Sequence, residues 1–140
     1  MRKQLLQSAL AKTRETPPLP FQTTFISPDS WPFSTDGSGS TGSIAATKSP
    51  IRIAVLDSSF NPPTRAHYQL LKAAANVGCD AVLLLLATNN ADKGQMGAGA
   101  VERLEMMEAM AEHSIKNENH HPALRQMAIG LTARHLLAIC

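Results

Sequence analysis

The 140-residue sequence lacks most of the features that mark a specialised class of protein. It has only two cysteines, Cys79 and Cys140, and they fit neither a disulfide framework nor a zinc-binding spacing, so we expect a reducing compartment. Aromatic residues make up 4% of the chain. No apolar run approaches the ~20 residues that span a bilayer, so the sequence predicts a soluble protein with no membrane partner.

The charge is also too weak to indicate a nucleic-acid partner. The formal net charge is +2 and the pI is about 8.7, and the Lys and Arg residues form no continuous stripe. The apolar share of 44% permits a core, either in one domain or in a smaller domain with tails. Partners must therefore be inferred from a local site, and the sequence leaves the oligomeric state open.

The segment Asp57–His67, with the sequence DSSFNPPTRAH, separates two periodic segments. Before it, the β-branched run Ile51–Leu56 predicts a buried strand. After it, apolar residues recur at helical spacing, which predicts a helix. The members of this apolar stripe are Tyr68, Leu71 and Ala75, widened by Leu70, Ala74 and Val77.

The turn between strand and helix carries residues suited to holding phosphate. Pro62 and Pro63 end the strand and delay the helix, because they cannot donate ladder hydrogen bonds and they restrict the residues before them. Thr64 is then the predicted N-cap, and His67 falls in the first helical turn, near the positive end of the helix dipole. An anion bound there would meet free N–H groups and an imidazole. The alternative is an ordinary loop with a surface histidine.

A second strand and a second loop follow the helix. Gly78 fits the helix C-cap, and the unbroken apolar run Ala81–Ala87 predicts a strand buried on both faces. Strand, helix and strand predict a right-handed crossover with parallel strands, so both loops open at the carboxyl edge of the sheet. In the second loop, Lys93 can neutralise a phosphate, although a solvated surface lysine is the alternative. In the next helix, Arg103 is expected to lie off the buried stripe formed by Val101, Leu104, Met107 and Ala111.

The run SSFNPPTRAH resembles the signature [G/S]-S-F-N-P-x-T-x-x-H of the cytidylyltransferase-like nucleotidyltransferase superfamily. It is most similar to the nicotinamide-nucleotide adenylyltransferase branch, in its fungal form, and the segment TNNADK followed by Arg103 is similar to the same branch. One departure is Ser58, which stands where many members carry Gly. The resemblance implies an α/β, Rossmann-like nucleotidyltransferase fold, present here in part as the βαβα start of a parallel sheet.

The resemblance also implies a reaction and a set of site residues. The reaction transfers AMP from ATP to nicotinamide mononucleotide and gives NAD and pyrophosphate, with Mg²⁺ bound to the ATP; it belongs to NAD biosynthesis, in the cytoplasm or nucleus or alternatively in mitochondria. By the resemblance, the catalytic residues are His67 and Thr64, and the nucleotide-binding residues are Ser58, Ser59, Phe60, Lys93 and Arg103. Residue types alone indicate only that phosphate is handled.

The composition divides the chain into four segments. Residues 1–15 predict an amphipathic helix, which we interpret as a short docking helix, with a mitochondrial transit peptide as the alternative. Residues 16–50 are rich in Pro, Ser and Gly and predict a disordered linker. Its Gly37–Gly42 matches G-x-G-x-x-G but lacks a flanking strand and helix, so we interpret it as flexible. Residues 51–116 form the partial nucleotidyltransferase domain, and residues 117–140 a divergent tail.

The tail is expected to hold a last amphipathic helix over Leu124–Leu136, interrupted by Gly130. The adjacent His120 and His121 lack a metal-ligand spacing, so no metal is assigned. No I-S-[S/T]-x-x-R pattern, the family's second phosphate-binding element, follows Ser114, and only two strands are predicted. We therefore expect a binding-competent but incomplete enzyme. The alternatives are a non-catalytic nucleotide-binding or interaction remnant of the fold and, less favoured, an unrelated small α/β module.

Overall fold

The computed structural model describes residues 1–14, 21–33, 50–87 and 99–133. In these ranges the helices are α1 (Arg2–Thr13), α2 (Arg65–Asn76) and α3 (Ala100–Asn117), and a 3₁₀ turn covers Pro122–Arg125. The strands are β1 (Phe21–Ser27), β2 (Ile53–Asp57), β3 (Ala81–Ala87) and β4 (Met127–Thr132). None of the helices in these ranges is both long and apolar enough to cross a membrane.

The four strands form one sheet in the order β1-β4-β3-β2. The strands β2, β3 and β4 run parallel, and β1 pairs antiparallel with β4. Each parallel step is bridged by a helix, α2 between β2 and β3 and α3 between β3 and β4. The α/β prediction is confirmed, and the arrangement is consistent with part of a Rossmann-like nucleotidyltransferase fold.

The core lies on one face of this sheet. Alternate residues of β3 and β4 point to that face, and they pack with side chains from all three helices in one buried cluster. The strand members are Val82, Leu84, Leu86, Met127, Ile129 and Leu131, and the helix members include Leu6, Leu71, Leu104 and Met107. The three helices therefore lie in one layer on this face of the sheet. The N-terminus of α2 lies beside the carboxyl edge of the sheet.

The two predicted strands differ in burial. Strand β3 is buried along nearly its whole length, as predicted. Strand β2 is not, because it lies at one edge of the described sheet. Its residues Ile53 and Val55 are 39% and 46% exposed. In α2 the stripe is likewise narrower than expected: Leu71 is buried, whereas Leu70 and Val77 are exposed.

The prediction of a disordered linker over residues 16–50 is wrong for Phe21–Ser27, which form β1. The backbone of β1 is paired along β4, which removes the cost of leaving those polar groups unbonded. Beyond the strand, the Trp31 indole N–H donates to the Val82 carbonyl at 3.2 Å, which attaches this part of the segment to β3. The Gly37–Gly42 segment lies outside the described residues.

The prediction of a helix over Leu124–Leu136 is also wrong where residues are described. The chain makes a 3₁₀ turn and then β4, whose six residues are all buried. Gly130 reflects close packing in the sheet, because a Cβ there would lie 2.7 Å from Cζ of the Phe21 ring. The described sheet has four strands rather than the two expected from the sequence.

The N-terminal helix α1 docks against the rest of the fold, the interpretation preferred from the sequence. Leu6 is buried in the shared core. Arg2 forms an ion pair with Glu108 of α3, and the Gln22 side chain in β1 donates to the Ala9 carbonyl at 2.9 Å. Helix α1 therefore covers the end of the sheet that contains β1 and β4.

Candidate functional site

The segment Asp57–His67 leaves the sheet at the carboxyl end of β2. The Ser58 N–H donates to the Leu85 carbonyl of β3 at 3.3 Å, which ties the start of the turn to the neighbouring parallel strand. Open α/β sheets bind ligands at this edge. The predicted position of the turn is therefore confirmed.

Thr64 is the N-cap of α2, and His67 is the third helical residue, both as predicted. The Thr64 backbone N–H donates to Nδ1 of His67 at 2.9 Å. The two residues thus form a reciprocal cap in which the histidine ring takes the place that Glu or Gln usually occupies. This contact fixes the histidine ring against the helix N-terminus.

The hydrogen bonds of His67 define its tautomer. A backbone N–H can only donate, so Nδ1 acts as the acceptor and the ring proton resides on Nε2. Nε2 lies 3.0 Å from the Ser58 hydroxyl oxygen, to which it donates. The Nε2–H group of His67 therefore points across the turn toward Ser58. We expect this segment to approach a phosphate.

Phe60 gives the turn an unusual backbone. Its φ is +44°, in the left-handed region that residues other than glycine rarely adopt, and its side chain is 0% exposed. Such a conformation costs roughly 1–3 kcal/mol and persists only where the surroundings hold it. The Phe60 ring packs against His67, with 4.9 Å between ring centroids and 33° between ring planes. The apolar ring thus supports the histidine from the side.

Arg103 contacts the turn from helix α3. The expectation that it lies off the buried stripe of α3 is wrong, because its side chain is 1% exposed and shares the buried face with Leu104 and Met107. Its Nη1 donates to the Ser59 carbonyl at 3.3 Å. No pattern in the sequence indicates this burial, since arginine is usually exposed and is buried only when its polar head has partners.

Lys93 and the other residues of 88–98 lie outside the described residues, so the predicted convergence of two loops is not described. His120 and His121 follow α3, and no group of three or more His, Cys, Asp or Glu in the described ranges has the arrangement needed to hold a metal ion.

A second polar contact, which the sequence did not indicate, links α2 to the end of α3. The Tyr68 hydroxyl donates to Oε2 of Glu118 at 3.0 Å, and the His120 N–H donates to Oε1 at 3.3 Å. Burial raises the pKa of Glu118, but these hydrogen bonds and the charge of Lys72 more than offset burial, so the pKa lies below its ordinary value. Burial is likewise the main cause that raises the pKa of Tyr68.

We expect Glu118 to make the protein sensitive to acid. Because its pKa is lower in the folded state than in the unfolded state, its stabilising contribution is present above the ordinary value of 4.5 and is lost as the pH falls through the folded-state pKa. Below pH 4.5, the free energy of unfolding should therefore fall less in Glu118→Gln than in wild type. Urea unfolding across that pH range measures the difference. Glu105→Gln, on the preceding helix, is the control. Parallel pH profiles of wild type and Glu118→Gln would contradict the assignment.

Comparison with protein families places the turn in a known domain. Residues 55–123 match the family model described as Cytidylyltransferase-like. The matched segment starts within β2, includes the Ser58–His67 turn, α2, β3 and α3, and ends in the 3₁₀ turn. This part of the chain is therefore similar to the cytidylyltransferase-like domains of the nucleotidyltransferase superfamily. The comparisons with curated proteins and with solved structures gave no match.

Proposed function

We propose that this cytidylyltransferase-like domain transfers AMP from ATP to nicotinamide mononucleotide, giving NAD and pyrophosphate. The observation that carries the proposal is the cluster of Ser58, Thr64 and His67 at the N-terminus of α2, on the carboxyl edge of the sheet. The nucleotidyl-transfer class is supported by the family match over residues 55–123. The choice of ATP and nicotinamide mononucleotide rests on the resemblance of SSFNPPTRAH and TNNADK to the adenylyltransferase branch.

In the proposed reaction, a phosphate oxygen of the mononucleotide attacks the α-phosphorus of ATP. The bond to the bridging oxygen breaks, and pyrophosphate leaves with that electron pair. The protein has little covalent chemistry to do, so its contribution is to position two anionic substrates and to stabilise charge. His67 would exchange its Nε2 contact with Ser58 for one to a phosphate oxygen. The first N–H groups of α2 would face the same anion.

Mg²⁺ would enter this site with the triphosphate of ATP. The described residues form no cluster of three or more metal ligands, which fits an ion held by substrate phosphates and water rather than by a protein cage. Once bound, the ion would neutralise charge on the triphosphate. The residues of the chain are then required to orient the phosphates.

The remaining roles are proposed from the resemblance. Ser58, Ser59 and Phe60 would supply backbone contacts to the nucleotide, and Lys93 would bind a substrate phosphate. A phosphate-binding role for Arg103 also stays a prediction, because in the structure its guanidinium is buried against the Ser59 carbonyl. Of these residues, only Lys93 lies outside the described ranges.

We expect Lys93→Ala to weaken substrate binding, because one ammonium that neutralises a phosphate is lost. Replacing Gly37, Gly39 and Gly42 together by Ser should leave nucleotide affinity unchanged, since we interpret that segment as a linker. Isothermal titration with MgATP compares both variants with wild type. An affinity loss in the triple-glycine variant would overturn the linker interpretation, and unchanged affinity in Lys93→Ala would remove Lys93 from the site.

The experiment that tests the proposal supplies the chain with MgATP and nicotinamide mononucleotide. NAD formation is followed by a coupled dehydrogenase, and pyrophosphate release is followed separately with other mononucleotides as acceptors. NAD formation that depends on His67 supports the proposal. If pyrophosphate is released only with another acceptor, the proposal of nucleotidyl transfer stands and nicotinamide mononucleotide is rejected as the acceptor.

A second candidate function is nucleotide binding without turnover. Binding of MgATP in isothermal titration without pyrophosphate release would favour this candidate. Absence of both would reject the nucleotide site altogether.

A further inference from the structure

We infer that Arg103 is a positioning residue, which holds the Ser59 carbonyl and thereby fixes the turn that presents His67. Its importance for turnover rests on the proposed function. Its effect on the geometry of His67 does not, and the two are measured separately below.

The burial of Arg103 is the first step. A guanidinium placed inside a core is costly unless its donors are bonded, so a side chain only 1% exposed needs partners at its polar head. Nη1 donates to the Ser59 carbonyl at 3.3 Å. Helix α3 thus contacts the turn through the long side chain of Arg103, which is buried on this helix together with Leu104 and Met107.

The second step is what this contact does to the backbone. The Ser59 carbonyl belongs to the peptide unit that joins Ser59 to Phe60, so fixing the direction of its oxygen restrains the φ of Phe60. That φ is +44°, which a phenylalanine adopts only under restraint. The start of the turn is held by the hydrogen bond from Ser58 N–H to the Leu85 carbonyl. Arg103 and β3 therefore restrain the two residues that lead into the strained Phe60.

The third step leads from Phe60 to the histidine. The centroid of the Phe60 ring lies 4.9 Å from the centroid of the His67 ring. Nε2 of His67 donates to the Ser58 hydroxyl oxygen at 3.0 Å. A change at the Ser59–Phe60 peptide would move both neighbours of the imidazole. Displacement by about 1 Å is enough to lower the rate of a positioned reaction by up to about a hundredfold.

A positioning role and direct phosphate binding predict different results for Arg103→Met, which keeps an unbranched apolar stem and removes the donors. Positioning predicts that the ¹⁵N and ¹H signals of the His67 imidazole change in the ligand-free protein, and that kcat falls about 10- to 100-fold with a smaller change in KM. Direct phosphate binding predicts unchanged His67 signals without ligand and a raised KM. Arg125→Met, at an exposed arginine of the 3₁₀ turn, is the matched control.

Arg103→Lys keeps a donor but not the planar fork, and it serves if Arg103→Met does not fold. We expect a His67 signal change in this variant as well, smaller than in Arg103→Met. Unchanged His67 signals in a folded Arg103 variant would overturn the inference, whatever the activity. If the wild-type chain shows no turnover, the proposed function fails, yet the ligand-free spectra still decide whether Arg103 positions His67.

Discussion

Replacing His67 with Ala is expected to lower nucleotidyl-transfer turnover by about a hundredfold or more, since that is the usual cost of losing one preorganised donor aimed at developing charge. In the structure the ring is held by the Thr64 N–H at Nδ1 and directs its Nε2 proton to Ser58. The substitution removes this directed proton but leaves the N-cap residue and the core in place. Turnover is measured as pyrophosphate release under saturating MgATP and acceptor.

The matched control for this prediction is His113→Ala. His113 is an exposed histidine of α3, and its ring contacts only Asn117 on the same helix among the hydrogen bonds of the described residues. Thermal melts of both variants show whether a loss of rate reflects unfolding. If His67→Ala folds and turns over like wild type, the site at the N-terminus of α2 is wrongly assigned.

The second large effect concerns stability. Ile129→Ala should lower the free energy of unfolding by about 2–5 kcal/mol, the usual cost of truncating a large aliphatic side chain in a packed core. Ile129 is 0% exposed in β4, where it joins the cluster formed with the helices. In the helix that the sequence predicts over Leu124–Leu136, Ile129 would have no strand on either side.

Ile53→Ala is the matched control for Ile129→Ala, because it is the same chemical change on the edge strand β2, where the residue is 39% exposed. We expect the control to cost clearly less than the core substitution. The measurement is urea unfolding of both variants. Equal losses at the two positions would contradict the interior position of β4 in the sheet.

The local features of the site were predictable because they depend on short patterns. The two prolines fixed where the strand ended, Thr64 had the chemistry of an N-cap, and His67 followed it by three residues. The run Ala81–Ala87 indicated a strand buried on both faces, since it was uniformly apolar and too short for a helix. Each of these predictions is confirmed by the structure.

The features that sequence analysis missed depend on partners distant in the chain. Strand β1 pairs with β4, which lies about a hundred residues later in the chain. Gly130 suggested an interrupted helix, whereas it makes room for the ring of Phe21 across the sheet. The burial of Arg103 depends on where the Ser59 carbonyl lies, and no periodicity in α3 reports that position.

The most direct test of the central claim, that the turn from Ser58 to His67 binds nucleotide phosphate, is a titration of ¹⁵N-histidine-labelled protein with MgATP, followed by NMR. Signals are assigned with His67→Ala and His113→Ala. We predict that the His67 imidazole signals shift and saturate as Nε2 exchanges Ser58 for a phosphate oxygen, while those of His113 stay in place. MgATP binding that leaves the His67 signals unmoved would contradict the account.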